Sequence, residues 1–551
     1  MRPQKLFYFL LAIWVIIDLI QAIFTPIHAD EAYYALYGKF LDWGYYDHPP
    51  MVGLLAVLSD IFFNGNLSIR FATVILHGAT VLLLWKTIAN SHKTTRDVLI
   101  FFSISASFVM FSIYGFITTP DAPLLFFTAL FFFLYKNYID TPKWSTAIAI
   151  GIAVALMLYS KYMAVLVVGF TLLSNIKLLK DKRLWCALMI AVLLFIPHIV
   201  WQIQSDFPSL KYHLIKRNSP FNFKYFIEYI PNQLLVFNPI CLIITIFLCV
   251  KNLKTNDKFL RASIFTTLGF LSFFWVMTIK GHVEPHWTVA ATIPMIFVLF
   301  YRQSDLKWEK WLNYTIIPIV AVLLLARFIV PFVVSQKIDV LQNKTVFDEI
   351  ETYSNGDQVI FTGSFQNPSL YWFYTEKLST SLSSVYGRQT QFDIWQFDKK
   401  FQGKPACIVE NLTYRKHPKE EPNVISKNGK FSFLKVKNFQ SANDIKITIN
   451  DYSIKNDTLF LDLTLFNPYD IPFDFGNKEM PVSMFVAYFV KNECNAVFCN
   501  IPENIIIPAN ETYCLSTYTK YIPDSPMAIC LDNVVCRSLN SKPILLNISD
   551  K

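Results

Sequence analysis

The chain has 551 residues, of which 54% are hydrophobic and 16% aromatic against only 16% charged. That balance excludes an ordinary soluble domain and points to an α-helical polytopic membrane protein. The formal net charge of +9 calls for no nucleic acid, because Lys and Arg gather in short connectors, "KTIANSHKTTRD", "KLLKDKR", "KNLKTNDKFLR" and "YRQSDLKWEK", as cytoplasmic loops do.

The first apolar run, Leu6 to Phe24, follows Arg2 and Lys5. It is longer than the apolar part of a signal peptide and more runs follow, so it reads as an uncleaved anchor. Placing the basic connectors inside predicts about eleven spans, near 6–24, 67–86, 97–115, 121–138, 144–159, 162–179, 184–201, 234–250, 262–279, 287–301 and 311–332. An odd count from an inside N-terminus puts everything beyond Pro331 outside.

After the first span comes "HADEAYYALYGKFLDWGYYDHPP", residues 28–50. Asp30 reads as the N-cap of a short helix, since an acid there accepts from free backbone N–H groups. Tyr33, Leu36, Tyr37 and Phe40 recur at helical spacing, which predicts an amphipathic helix lying along the interface with Trp43 and Tyr45 as headgroup anchors. This account explains Asp30 and Glu31 without catalysis. In "DHPP" two prolines fix a turn carrying Asp47 and His48, a pair that suits a divalent metal or a phosphate ligand and equally a solvated turn. Asp121 stands at the mouth of an apolar span in "TTPDAPLLFF", as a cap or a functional acid. Lys161 in "LYSKYMAV" has apolar sequence on both sides, as a snorkelling residue or a cavity cation. Opposite charges arriving at one membrane face predict a shared polar cavity. In "KGHVEPHW", His282, Glu284 and His286 alternate and share a face only if the loop is extended; they bind acceptor or metal, or belong to a wet loop anchored by Trp287.

The tail divides into a small α/β region, 334–428, and a region of period-two alternation, 429–551, that predicts an antiparallel β-sandwich. With the membrane part, 1–333, that makes three domains. The tail holds six of the nine cysteines, which an oxidising compartment would allow to pair, but no nucleotide-binding glycine loop.

Five stretches in order, "DEAYYALYGKFLDWGYYDHPP", "TTPDAPLLFF", "SKYMAVL", "WQIQSDFPSLKYHLIKR" and "GHVEPHW", resemble the polyprenyl-phosphate-sugar-dependent membrane glycosyltransferases. These are the bacterial relatives of dolichyl-phosphate-mannose protein mannosyltransferases and of the lipid A aminoarabinose transferase. The resemblance covers about the first 300 residues and implies a fold of the GT-C type, with a cavity at the external face of a bacterial inner membrane and the tail in the periplasm. It implies a polyprenyl-phosphate-sugar donor, a lipid, glycan or protein acceptor, and contact with membrane lipids. Catalytic roles fall on Asp30, Glu31 and Asp121, and substrate contacts on His48, Lys161, Lys216, Arg217, His282, Glu284 and His286. A divalent metal ion held by Asp47 and His213 would support this scheme without originating it. One departure stands out: where the aminoarabinose branch has a lysine before the two prolines, this chain has His48, which is only partly charged at neutral pH. The implied chemistry uses Lys161, Lys216 and Arg217 to stabilise charge on the leaving phosphate and Asp30 to deprotonate an acceptor hydroxyl, with inversion at the sugar carbon. Two other readings compete: a transporter or flippase with an external sensor domain, which should carry its charges near the midplane on broken helices, and a family member that has lost activity and serves as a scaffold.

Overall fold

The computed structural model describes residues 2–88, 93–212, 220–302, 318–329, 344–382, 388–411, 424–426, 429–490, 493–502, 504–523, 527–533, 541 and 544–546. The chain divides into two units, Met1–Ile338 and Asp339–Lys551.

The first unit is helical throughout. In chain order it holds α1 (Pro3–Phe24), α2 (Ala29–Lys39), α3 (Met51–Asp60), α4 (Leu67–Thr87), α5 (Thr95–Ser107), α6 (Val109–Ile113), α7 (Asp121–Asp140), α8 (Trp144–Ser160) and α9 (Ala164–Ser174). It continues with α10 (Lys182–Gln204), α11 (Pro208–Lys211), α12 (Phe223–Phe237), α13 (Pro239–Lys251), α14 (Lys258–Met277), α15 (Thr292–Arg302) and α16 (Pro318–Ile329). Among the described residues five helices, α1, α4, α7, α10 and α14, are long and apolar enough to cross a membrane, and six if α12 and α13 count as one broken span.

Two of the other predicted spans are interrupted. The 97–115 run breaks at Phe108, whose backbone is extended between α5 and α6. The 234–250 run bends by 104° at Asn238. There Asn238 adopts a positive φ of 73°, and Pro239 has no N–H to continue the helix behind it. Asn238 caps the new helix by accepting from Ile240 N at 2.9 Å.

The predicted interfacial helix is instead an interior one. The cap of α2 is His28, not Asp30: its ring accepts from Asp30 N while Glu31 accepts from His28 N, a reciprocal box. Tyr33 and Tyr37 are buried, because α3 and α4 cover the face that the spacing assigned to lipid. Tyr45 is no headgroup anchor either. It is fully buried, stacked on Tyr37 at 3.8 Å, while Trp43 does remain exposed.

In the second unit a five-stranded sheet runs in the order 380–382, 358–362, 406–411, 429–436, 424–426, the first three strands parallel and the last two antiparallel. One sheet therefore continues across residue 428. Beyond it, antiparallel sheets of four, three and two strands share one core. Strand Thr458–Phe466 points Leu459, Leu461, Leu463 and Leu465 inward against Met484, Val486 and Tyr488 of strand Val482–Val490. Cys407, Cys499 and Cys514 carry free thiols.

Candidate active site

The site starts from a charge that has nowhere to go. Glu31 and Arg70 are both fully enclosed, and a buried ion is tolerated only when paired and hydrogen-bonded throughout. Arg70 on α4 reaches Glu31 with Nε at 2.7 Å and Nη2 at 2.5 Å. Its remaining donors go to the carbonyls of Ala22, Thr25 and Pro26, where α1 ends. Glu31 also accepts from Thr118 N at 3.0 Å, just ahead of α7. One carboxylate thus ties together the end of α1, the start of α2, α4 and the approach to α7. Its neighbour Asp30 keeps 42% of its side chain exposed, with His28 Nδ1 3.7 Å away.

A second pair lies beside this knot. Asp121, the first residue of α7, receives Lys161 Nζ on both oxygens at 2.7 and 2.8 Å, and both side chains are buried. Lys161 is the residue at which α8 ends. Tyr34 and Tyr114 are each acted on by the charges of both Asp30 and Asp121. Burial first, and then those two carboxylates, push the Tyr34 phenol well above its ordinary range, so it stays a proton donor. The ring of His48 meets Tyr34 edge-on at 5.7 Å, and Asp47 accepts from Tyr33 Oη at 3.1 Å.

The loop 41–50 is held by the far end of α10. His198 Nδ1 donates to the Trp43 carbonyl at 2.7 Å, and Trp201 Nε1 donates to Asp42 at 2.8 Å. Ser209, itself bonded to Gln202, donates to the Tyr45 carbonyl. Gly44 passes so close to Trp201 that a Cβ there would come within 2.4 Å of the indole.

A family model described as dolichyl-phosphate-mannose-protein mannosyltransferase matches residues 47–201, the stretch holding Asp47, Asp121, Lys161 and Trp201. The lipid A galacturonosyltransferase RgtD of Rhizobium johnstonii is 22% identical over 314 residues, 53% of this chain and 63% of that protein. The match thus spans less than two thirds of that curated relative. Crystal structures of ArnT from Cupriavidus metallidurans superpose with TM-scores of 0.58 in the apo state and 0.55 bound to undecaprenyl phosphate, at 10% and 12% identity. Each covers 77% of this chain and 96% of ArnT. The chain shares the GT-C fold of these structures.

Within this GT-C fold the residues picked out by sequence do not all converge. Asp30, Glu31, Asp47, His48, Asp121 and Lys161 occupy one end of the helix bundle: the end of α1, the starts of α4 and α7, and the ends of α8 and α10. His282 and Glu284 pair at 3.6 Å between α14 and the 3-10 turn Pro285–Ala291, with Tyr225 edge-on to His282. His286 lies inside that turn, so the three do not share an extended face. His213, Lys216 and Arg217 lie outside the described residues. Among the described residues no group of three His, Cys, Asp or Glu is placed to hold a metal ion.

Sequence reasoning missed Arg70, the His198–Gln202 face of α10, and a third buried network. In that network Asp18 of α1 takes His77 of α4 at 2.7 Å and Arg327 of α16 at 2.6 Å. The available signal was an acid inside an apolar run, which is a functional or structural marker by default.

Proposed function

We propose that this chain transfers one monosaccharide from a polyprenyl-phosphate carrier to a hydroxyl of a lipid, glycan or protein acceptor, at the external face of a bacterial inner membrane, with its second unit in the periplasm. The observation that carries the reading is the unequal treatment of three carboxylates at one mouth. Glu31 is matched by Arg70 and Asp121 by Lys161, both pairs buried, while Asp30 keeps 42% of its side chain exposed. The names of the relatives support it: RgtD is a lipid A galacturonosyltransferase, and one ArnT structure holds undecaprenyl phosphate.

The roles follow from the chemistry. An acceptor oxygen attacks the anomeric carbon as the bond from that carbon to the phosphate oxygen breaks; the polyprenyl phosphate leaves with the bonding electrons, and the acceptor proton passes to Asp30. One displacement inverts the sugar carbon. Glu31 is a positioning residue that fixes the start of α2 and so the direction of Asp30. Asp121 holds Lys161 at the mouth, where the ammonium faces the developing phosphate charge. His48, beside Tyr34, and the segment with Lys216 and Arg217 supply further donors. The sites expected at His282, Glu284 and His286 are assigned to the acceptor. The divalent ion expected at Asp47 and His213 takes no step in this scheme.

The test is transfer of radiolabelled sugar from polyprenyl-phosphate donors to total membrane acceptors by purified wild type and Asp30→Asn. Loss of a general base lowers the rate about 100-fold or more. Equal transfer by both would reduce Asp30 to a charge at a helix start, and no transfer from any donor by folded wild type would overturn the proposal.

A further inference from the structure

At the other end of the bundle, α7, α8, α9 and α10 line a narrow apolar groove of about 100 Å³. Phe131, Ile150, Val154, Val168, Ala187 and Leu188 line it, and no charged side chain does. Its end is closed by the 3-10 turn Ile176–Lys180 and the start of α10. There a second, polar pocket opens, formed by Lys177, Lys180, Lys182 and Arg183 with Asp181 and Trp144. The two adjoin along the chain: Leu178 and Leu179 enter the groove between Lys177 and Lys180, and Leu184 and Trp185 enter it directly after Arg183.

The charges of the polar pocket do not cancel. Asp181, its one acid, caps α10 and is taken by Arg183, with Nε at 2.9 Å and Nη2 at 3.0 Å, and by Tyr138 Oη at 2.7 Å. The Arg183 guanidinium holds its carboxyl down to about 2. Among the described residues, Lys177, Lys180 and Lys182 have no carboxylate within ion-pair distance, and all three are exposed. Three uncompensated cations therefore sit at the rim of an apolar slot, with Trp144 exposed beside them at the level of a headgroup.

The membrane face follows from helix geometry. Asp121 begins α7, and Tyr138, bonded to Asp181, stands 17 residues further along it, which is about 26 Å. The lysines thus lie at the opposite interface from Asp30 and Asp121, in a connector whose basic character assigns it to the cytoplasmic side, the leaflet that carries anionic lipid.

We infer that this is a binding site for one anionic phospholipid of the cytoplasmic leaflet, its phosphate on Lys177, Lys180 and Lys182 and one acyl chain in the groove between α7 and α10. A free phosphate would satisfy the lysines and leave the groove empty. A neutral lipid would fill the groove and leave the lysines unmatched.

The experiment is native mass spectrometry of the full chain purified in mild detergent, titrated with phosphatidylglycerol, phosphatidylcholine or inorganic phosphate. Phosphatidylglycerol should be retained at one molecule per chain, and phosphatidylcholine should not. Replacing the lysines together, Lys177→Gln, Lys180→Gln and Lys182→Gln, should weaken retention about 100-fold, since each lysine contributes on the order of 1 kcal/mol to anionic lipid binding. Leu188→Trp, on an exposed wall of the groove, should also weaken it with the lysines intact. Equal retention of both lipids, competition by inorganic phosphate at the same concentration, or retention unchanged in either variant would overturn the inference.

Discussion

Asp30 and Glu31 are adjacent in sequence and opposite in surroundings, the first 42% exposed and the second enclosed by Arg70, Thr118 and His28. Replacing them should separate fold from chemistry. Glu31→Gln leaves the Arg70 charge buried without its partner and should cost about 3–5 kcal/mol of stability, read as a lowered melting temperature in detergent. Asp30→Asn should stay within about 0.5 kcal/mol of wild type, as exposed substitutions do, while transfer falls. The Asp121–Lys161 pair allows a cycle. Asp121→Asn and Lys161→Met should each destabilise strongly alone, and the double variant by less than their sum, because neither charge is then left buried alone. The acids of this site were legible in the sequence because carboxylates beside apolar runs are rare. The pairings were not: Arg70, which no motif marks, is 39 residues from Glu31, and Lys161, though marked, is 40 from Asp121, separations that no local period reveals.

Among the elements, α2 shows what periodicity leaves out. Spacing identified the apolar face of Tyr33, Leu36 and Tyr37 correctly, but a single sequence does not say whether lipid or protein covers such a face, and here α3 and α4 do. The breaks at Phe108 and Asn238 differ in the same way: Pro239 announces the second, whereas no residue near Phe108 announces the first. The loop 41–50 depends on α10 for its position, and its closest approach is Gly44 under Trp201. Gly44→Ala forces a Cβ into the indole and should cost about 1–3 kcal/mol, as overpacking does. Because the displaced loop carries Asp47 and His48, transfer should fall more than stability alone explains, while Gly169→Ala, with open space around it, should leave transfer closer to wild type. Comparing initial transfer rates at a temperature where all variants are folded checks this.

For the whole molecule, the hydropathy profile and the basic connectors predicted membrane helices followed by a polar tail, and the division at Ile338 falls close to the change of composition at Pro331. The order of the tail's strands was not legible, since alternation marks a strand but not its neighbours, and a parallel pairing such as 358–362 with 406–411 joins segments far apart in the chain. Sidedness is the remaining whole-molecule property. If the basic connectors face the cytoplasm and the number of crossings is odd, the second unit shares the side of Asp30. Cys514 provides a native reporter: it is an exposed free thiol on strand Thr512–Lys520. A membrane-impermeant maleimide applied to intact spheroplasts should modify Cys514, found by peptide mapping, without lysis, and Cys514→Ser should remove that peptide's label. Labelling only after lysis would place the second unit inside, make the number of crossings even, and separate it from the face at which Asp30 and Asp121 are proposed to act.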